Sequence, residues 1–180
     1  MSQLEESVIP ILTPMIQGTV TILTFEQQVA ITIWMIKCGL IFDTIQNGEG
    51  VFYNKADRIH FRQHLLPLEF TDVWVGYYSG PSLRAFTRFG TIARTESMPP
   101  YNLYIITMAF GRLVLQLTNT KFFTSQNRER FRLPIRDRVW ELFIDEIMQT
   151  PEPINWPPGV SFDDANYTFD EFSDRFGRLI

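Results

Sequence analysis

The longest helical pattern in the chain lies at residues 25 to about 46, where apolar side chains occupy nearly every side of a helix. Thr24 and Gln27 stand at its start with the spacing of a capping box, in which each side chain bonds to the other's backbone N–H. Apolar residues on all sides indicate a helix that other elements surround. The pattern therefore predicts a long buried helix.

A first helix is predicted to begin almost at the first residue, because Ser2-Gln3-Leu4-Glu5 also has the capping-box spacing. Pro10 and Pro14 follow, and each removes a backbone donor and clashes with the preceding turn. The segment 9–18 is therefore expected to bend or break. Residues 20–23 are β-branched or apolar and few, which predicts a short edge strand.

A third predicted helix is capped by Asn54 with Asp57 and runs to about residue 66. On it His60 and His64 stand one turn apart, and they are the only two histidines of the chain. Two imidazoles at this spacing can share a metal ion, which makes them candidates for a metal site. The residues between them cannot act as a general base, and the alternative is a solvated helix face.

After residue 67 the pattern changes to β-branched and aromatic alternation, with turn residues between the runs. Four strands are predicted, at residues 72–78, 83–93, 101–109 and 112–118. The links between them are short, which favours antiparallel neighbours in chain order, a meander. The predicted fold class is α+β: an antiparallel sheet of about four strands packed against a long buried helix and C-terminal helices.

The C-terminal region is predicted to hold two further helices. Residues 137–149 carry apolar side chains at helical spacing, whereas Trp156-Pro157-Pro158-Gly159 can be neither a helix nor a central strand. Thr168 and Glu171 form another capping box, which predicts a last helix. Three aromatic rings share one side of that helix and are expected to dock on the domain: Phe169, Phe172 and Phe176.

Composition limits the class of protein. With 180 residues, 45% of them hydrophobic, the chain is long enough for one domain with a core. That domain is divided into helices at 1–66, strands at 70–119, and a basic connector with C-terminal helices at 120–180. A single cysteine excludes a disulfide framework and a multi-cysteine zinc site within one copy. No cofactor is predicted.

The same composition bears on location. The most apolar run, residues 29–42, is 14 residues long, which is too short to span a bilayer. No basic and apolar secretion signal opens the chain. We therefore expect a cytoplasmic protein that does not associate with a membrane.

Charge is distributed unevenly. Residues 121–138 carry six basic and two acidic side chains, whereas residues 139–180 carry two basic and nine acidic ones. Attraction between this basic connector and the acidic segment after it needs no external partner. The alternative is contact with nucleic acid or a protein partner by Arg128, Arg130 and Arg132, although a net charge of −4 opposes a stand-alone nucleic-acid binder.

A small anionic ligand is a further possibility, for which five residues are candidates. Lys37 lies on the long helix one turn after Trp34, and its neighbours on that helix are apolar. Its ammonium either extends to water or meets an acidic partner or anionic ligand from elsewhere. Arg84, Arg88 and Arg94 lie on one face of the second predicted strand, where they can bind phosphate, nucleic acid or an acidic protein. They can equally form the solvated side of a one-sided sheet.

Six separated motifs resemble the C-terminal region of bacterial HNH endonuclease-like proteins, downstream of a Cys-x-x-Cys-Asn-x-Gly-Trp-Met segment. The motifs are Ser2-Gln3-Leu4-Glu5, Ala30-x-x-x-Trp34-x-x-Lys37, Val73-Trp74-Val75-Gly76-Tyr77, Gly111-x-Leu113-x-Leu115-Gln116, Trp156-Pro157-Pro158 and Asp174-Arg175-Phe176. The histidine, metal ligands and cysteines of the nuclease part have no counterpart in these 180 residues. The resemblance therefore implies a domain to which no catalytic residue can be assigned.

Three functions remain open from the sequence. The first is a non-catalytic companion domain that binds protein or itself. The second is a small-molecule or nucleotide-binding module in bacterial or phage conflict, with Lys37 and the arginine row holding the ligand. The third is a nucleic-acid-binding accessory that uses the basic connector.

Overall fold

The computed structural model describes residues 3–47, 52–80, 83–92, 101–122, 143–148, 150–163, 165–166 and 168–175. In chain order the elements are α1 (Gln3–Ile16), β1 (Thr21–Leu23), α2 (Phe25–Asn47), α3 (Lys55–His64), β2 (Thr71–Tyr78), β3 (Arg84–Ile92), β4 (Tyr101–Phe110), β5 (Leu113–Phe122), β6 (Ile144–Ile147), β7 (Ile154–Trp156), β8 (Ser161–Phe162) and α4 (Phe169–Ser173). The predicted α+β class is confirmed. The main sheet has six strands, not about four.

The order of strands in the main sheet is β3-β4-β5-β2-β6, with β8 parallel to β2. The predicted meander is wrong, because β2 pairs with β5 and not with β3. The chain leaving β2 passes the β4–β5 turn: Tyr78 donates its backbone N–H to the Arg112 carbonyl at 2.8 Å. The Arg112 guanidinium in turn donates to the Ser79 carbonyl at 3.2 Å. The residues that end and follow β2 therefore lie beside the end of the β4–β5 hairpin.

Both faces of the sheet are covered, and each has its own hydrophobic cluster. The helical face packs on α1 and α2 through Val73, Val75, Tyr104, Ile106, Met108, Leu113, Leu115, Leu117 and Ile147. The C-terminal face packs on the segment that contains β8 and α4 through Trp74, Tyr78, Ala109, Val114 and Ile144.

Helix α1 runs from Gln3 to Ile16 with Pro10 and Pro14 inside it, so of the expected bend or break the break does not occur. Its four buried residues, Val8, Ile11, Leu12 and Met15, recur at helical spacing and lie in the helical cluster. Burial of such a stripe supplies most of a helix's stability and here outweighs the donors that the prolines remove.

Helix α2 begins as predicted. The Thr24 N–H donates to Gln27 Oε1 at 3.0 Å, and the Gln27 N–H donates to Thr24 Oγ1 at 3.4 Å. The expectation that other elements surround it is wrong for its last turns, because Ile41 is 46% exposed and Ile45 is 72% exposed. Helix α2 therefore has a buried side against the sheet and an open side near its end.

Among the described residues, α2 is the one helix with the length and hydropathy of a membrane span, over Phe25–Ile45. The apolar run at residues 29–42 is only part of this helix, so its length of 14 residues does not by itself exclude a membrane span. Within the fold, 44% of its most apolar window is buried. The buried part of this window lies against the rest of the domain, whereas its last turns are exposed.

Residues 144–147 form strand β6, so the helix predicted at 137–149 is wrong for this segment. Residues 137–142 of that helix lie outside the described ranges. Ile144 and Ile147 are both buried because they point to opposite faces of a sheet that is covered on both sides. Gly76 admits the strand, since a Cβ there would lie 2.9 Å from the Cγ2 of Ile144.

The remaining C-terminal predictions hold where they are described. Strand β7 pairs with β1 in a separate two-stranded sheet, so the segment around Trp156 is not a central strand. Helix α4 is five residues long and carries the predicted capping box between Thr168 and Glu171. Phe169 and Phe172 are buried on the sheet, and Phe176 lies outside the described ranges.

Candidate functional site

A buried guanidinium lies between α4 and the C-terminal face of the sheet. Arg175, only 3% exposed, donates its Nε–H to Gln116 Oε1 at 2.6 Å. Its Cζ lies 4.3 Å from the ring centre of Trp74. Gln116 completes the connection by donating to Thr107 Oγ1 at 2.9 Å and to the Phe172 carbonyl at 3.3 Å. These contacts attach the end of α4 to strands β2, β4 and β5.

The electrostatics of this centre favour a structural role. Burial lowers the pKa of Arg175 to about 9, while Glu146 and Asp72 act in the opposite direction. The guanidinium therefore remains charged at neutral pH. A charge that is buried, stacked on an aromatic ring and hydrogen-bonded contributes to a unique packing of the segment that carries it.

Two members of the predicted arginine row lie on the same face. Arg88 pairs with Asp174 at 2.7 Å, and its Cζ lies 5.2 Å from the ring centre of Phe86. Arg84 lies 5.8 Å from the ring centre of Phe169. Helix α4 therefore covers this row, and an anion would compete with Asp174 for Arg88. Anion binding stays a prediction, and Arg94 lies outside the described residues.

Lys37 pairs with an acidic residue from another segment, which was one of the alternatives that the sequence left open. Its Nζ pairs with the Glu5 carboxylate of α1, and both side chains are about one quarter to one third exposed, at 30% and 27%. Trp34 lies against Phe110, with ring centres 6.2 Å apart. The pair joins α1 to α2, and Trp34 joins α2 to the sheet.

Partly and fully buried polar groups line the side of α2 that faces the sheet. Burial raises the pKa of the Cys38 thiol to about 12, because the thiolate would lose its hydration. Tyr104 donates its hydroxyl to the Gly39 carbonyl at 3.0 Å. Burial also raises the pKa of Tyr104 and that of Tyr53, which is fully buried.

A buried carboxylate fixes the start of α3. Asp43 accepts the backbone N–H groups of Phe52 and Tyr53, each at 3.1 Å, and pairs with Arg58 at 2.7 Å. Lys121, the first residue of the predicted basic connector, pairs with Asp57 of α3, and its predicted attraction to the acidic C-terminal segment stays a prediction. Arg128, Arg130 and Arg132 lie outside the described ranges, so their predicted contacts stay predictions.

His60 and His64 are exposed on α3, with ring centres 4.7 Å apart. In the part of the chain that the structure describes, no three metal-ligating side chains gather at one place. Their geometry thus provides two ligands and no third, and metal binding here stays a prediction.

The six motifs of the sequence resemblance contact one another in pairs. Glu5 of the first motif pairs with Lys37 of the second. Trp74, Gln116 and Arg175 bring together the third, fourth and sixth. The fifth motif joins the third, since the Trp156 and Tyr77 ring centres are 5.7 Å apart. These residues therefore contribute contacts that hold the fold of this chain together.

Sequence reasoning missed Arg175, Gln116 and Asp43 as parts of polar centres. One signal was present in the sequence: Gln116 is an amide in the strand Leu113–Phe122, whose first five residues are otherwise apolar. Its partner is 59 residues away along the chain, and no local spacing indicates such a pair.

Comparison with known proteins gives no neighbour: no family model, no curated protein and no solved structure matches the chain. The resemblance to HNH endonuclease-like proteins therefore stays a prediction from the motifs.

Proposed function

We propose that the chain is a non-catalytic interaction domain, resembling the C-terminal part of bacterial HNH endonuclease-like proteins, which binds protein by extending its main sheet at β3. We place it in the cytoplasm. Its partner is a second copy or a nuclease-like protein that supplies the missing histidine and metal ligands.

The state of the chemistry-bearing side chains supports binding over catalysis. Arg88, Lys37 and Asp43 each have a charged partner within the chain, and Arg175 is buried. The one cysteine has a pKa raised to about 12, which removes nucleophilic thiolate at neutral pH. These charged and nucleophilic side chains thus hold the fold together, which favours recognition through other features of the surface, among them the exposed backbone of an edge strand.

The edge strand β3 is the observation that carries the proposal. It is nine residues long, lies at one end of the sheet order, and pairs with β4 in an unbroken register from Arg84 to Ile92. Within the described residues no strand pairs with its other edge. Natural edges are usually short, bulged, or protected by proline or by charged side chains, above all lysine. Strand β3 is long and has no proline or lysine, and its two charged side chains, Arg84 and Arg88, lie on the face that α4 covers.

The edge is also held rigid for pairing. Phe86 packs against the cluster on the C-terminal face, and Phe89 packs against the cluster on the helical face. Phe89 meets Phe52 with ring centres 5.9 Å apart. A strand fixed from both sides loses little conformational entropy when a further strand joins it, which favours recognition by strand addition.

The test is light scattering with separation by size, for the chain alone and mixed with an HNH nuclease-like protein. Ala85 is exposed on β3. Ala85→Lys places a lysine on this edge strand, and lysine on an edge strand discourages pairing with a further strand. We expect this variant to weaken association at least about tenfold, or roughly 1.4 kcal/mol. Ala56→Lys, on exposed α3, makes the same change elsewhere and should associate like the wild type.

A wild-type chain that stays monomeric and joins no such protein would refute the proposal. If Ala85→Lys associates as strongly as the wild type, binding does not occur through β3, and that part of the proposal is refuted.

A further inference from the structure

We infer that the strand added to β3 is β3 of a second copy, antiparallel to the first and centred on Thr87. This inference rests on the proposed function, and it names the partner and the register of that same edge. The result is a twofold dimer in which the two main sheets form one continuous sheet.

Twofold symmetry suits an antiparallel pair, because the same strand then serves as both surfaces. The symmetry axis passes through the sheet, so the helical faces of both copies lie on one side. Residues that face each other must then belong to the same face of each copy. The symmetry axis must therefore pass beside one residue of β3, which pairs with the same residue of the second copy.

The charges exclude two of the possible centres, and a centre at Ala85 would pair only residues 84–86 of β3 with each other. With Phe86 at the centre, Arg84 faces Arg88 of the second copy. With Arg88 at the centre, the two Arg88 guanidinium groups face each other. Like charges directly opposite in a sheet are destabilising. With Thr87 at the centre, Arg88 faces Phe86 of the second copy, which repeats across the interface the contact that these two residues make at 5.2 Å within the chain.

The other positions also fit a centre at Thr87. Arg84 then faces Gly90 of the second copy, which carries no side chain, and Ala85 faces Phe89. Arg84 is diagonal to the second copy's Arg88, at a distance of about 7–8 Å. Asp174 pairs with Arg88 at 2.7 Å, its side chain is still 40% exposed, and in the second copy it stands near this Arg84. The second copy's Asp174 thus reduces the repulsion between its own Arg88 and the diagonal Arg84.

Cysteine cross-linking tests the register. Cys38 is replaced by Ser, and one new cysteine is placed at Thr87, Ala85 or Thr91 in separate proteins. At the centre of an antiparallel pair the two Cα atoms lie about 4.5–5.5 Å apart, within the range of a disulfide. We expect oxidation to convert Thr87→Cys to a covalent dimer, whereas Ala85→Cys and Thr91→Cys stay largely uncross-linked.

Light scattering of Thr87→Ser under the same conditions shows whether substitution at the centre disturbs folding or association, and this variant should match the wild type. A dimer in which Thr87→Cys does not cross-link, or in which the two flanking cysteines cross-link as fast, would overturn the register. A monomer that still binds a nuclease-like protein through β3 would refute the inference that the partner is a second copy, and would leave the proposed function standing. A monomer that binds nothing would refute both.

Discussion

The Nε–H of Arg175 donates to Oε1 of Gln116 at 2.6 Å, so the last described residue of the chain is bonded to the middle of the central strand β5. Burial of a guanidinium is costly unless it is hydrogen-bonded and stacked, and this one is both. The C-terminal segment is thus attached to the sheet by one specific polar contact as well as by the rings of Phe169 and Phe172.

Removal of this guanidinium should destabilise the fold. Arg175→Ala leaves Gln116 Oε1 without its donor in a buried place, and we expect a loss of about 3 kcal/mol in the free energy of unfolding. Urea unfolding followed by tryptophan fluorescence measures it. Arg62→Ala, on the exposed side of α3, should change stability by less than about 0.5 kcal/mol. Equal stability of the two variants would show that the buried contact contributes nothing.

Two glycines give a matched test of the contact between α1 and the β4–β5 turn. Gly111 has φ +56°, and a Cβ there would lie 2.4 Å from the Ile16 carbonyl oxygen. Gly111→Ala should therefore cost about 2 kcal/mol or more, from backbone strain and from displacement of α1. Nothing lies within 4 Å of a Cβ at Gly159, so Gly159→Ala should be neutral or stabilising. Thermal unfolding that ranks the two variants in the opposite order would contradict this packing.

Two buried tyrosines should respond oppositely to loss of their hydroxyls. Tyr104 donates to the Gly39 carbonyl, whereas the Tyr53 hydroxyl is buried and has no hydrogen-bond partner among the described residues. Tyr104→Phe should cost about 1 kcal/mol, and Tyr53→Phe should be neutral or stabilising by a similar amount. Chemical denaturation of both variants and the wild type measures these differences in the free energy of unfolding. A large loss in Tyr53→Phe would reveal a partner for that hydroxyl.

The reactivity of Cys38 should depend on pH in a specific way. Burial raises its pKa to about 12, so the neutral thiol predominates in the folded protein well above pH 9. Alkylation at pH 8 should be at least about tenfold slower in the native protein than in denaturant, since each unit of pKa is a factor of ten in thiolate. Mass spectrometry after timed labelling measures it.

The raised pKa of Cys38 also gives the sign of its effect on stability. The stabilisation that comes from keeping this thiol neutral is complete below the unfolded pKa, near 9, and is lost as the pH rises toward 12. Cys38→Ser should therefore unfold with a weaker dependence on pH in the alkaline range. Rapid labelling of native protein at pH 8 would contradict the burial.

The sequence predicted the elements whose signals are local. The capping boxes at Thr24, Asn54 and Thr168 begin helices where expected, and four of the strands lie close to their predicted ranges. Side-chain caps and two-residue alternation are properties of a few neighbouring residues, so they survive in the folded chain.

The errors have long-range causes. Ile144 and Ile147 have helical spacing, but a strand in a sheet that is covered on both faces also buries residues on both of its sides. Residues 144–147 form such a strand because they pair with β2. The pairing of β2 with β5 is accompanied by the contacts of Tyr78 and Ser79 with Arg112, which no local spacing in the sequence indicates. The polar centres join residues that are far apart in the chain, such as Glu5 and Lys37. The sequence therefore indicated Lys37 as a candidate but could not indicate which residue it pairs with.

Hydrogen exchange at β3 tests the central claim most directly. The amides of residues 83–92 are measured by mass spectrometry in dilute and in concentrated solutions of the wild-type chain, with the peptide spanning α3 as the internal reference. Strand addition at β3 predicts that exchange in 83–92 slows as concentration or a nuclease-like partner is raised, while exchange in α3 is unchanged. Exchange in 83–92 that is equally fast under all these conditions would contradict it.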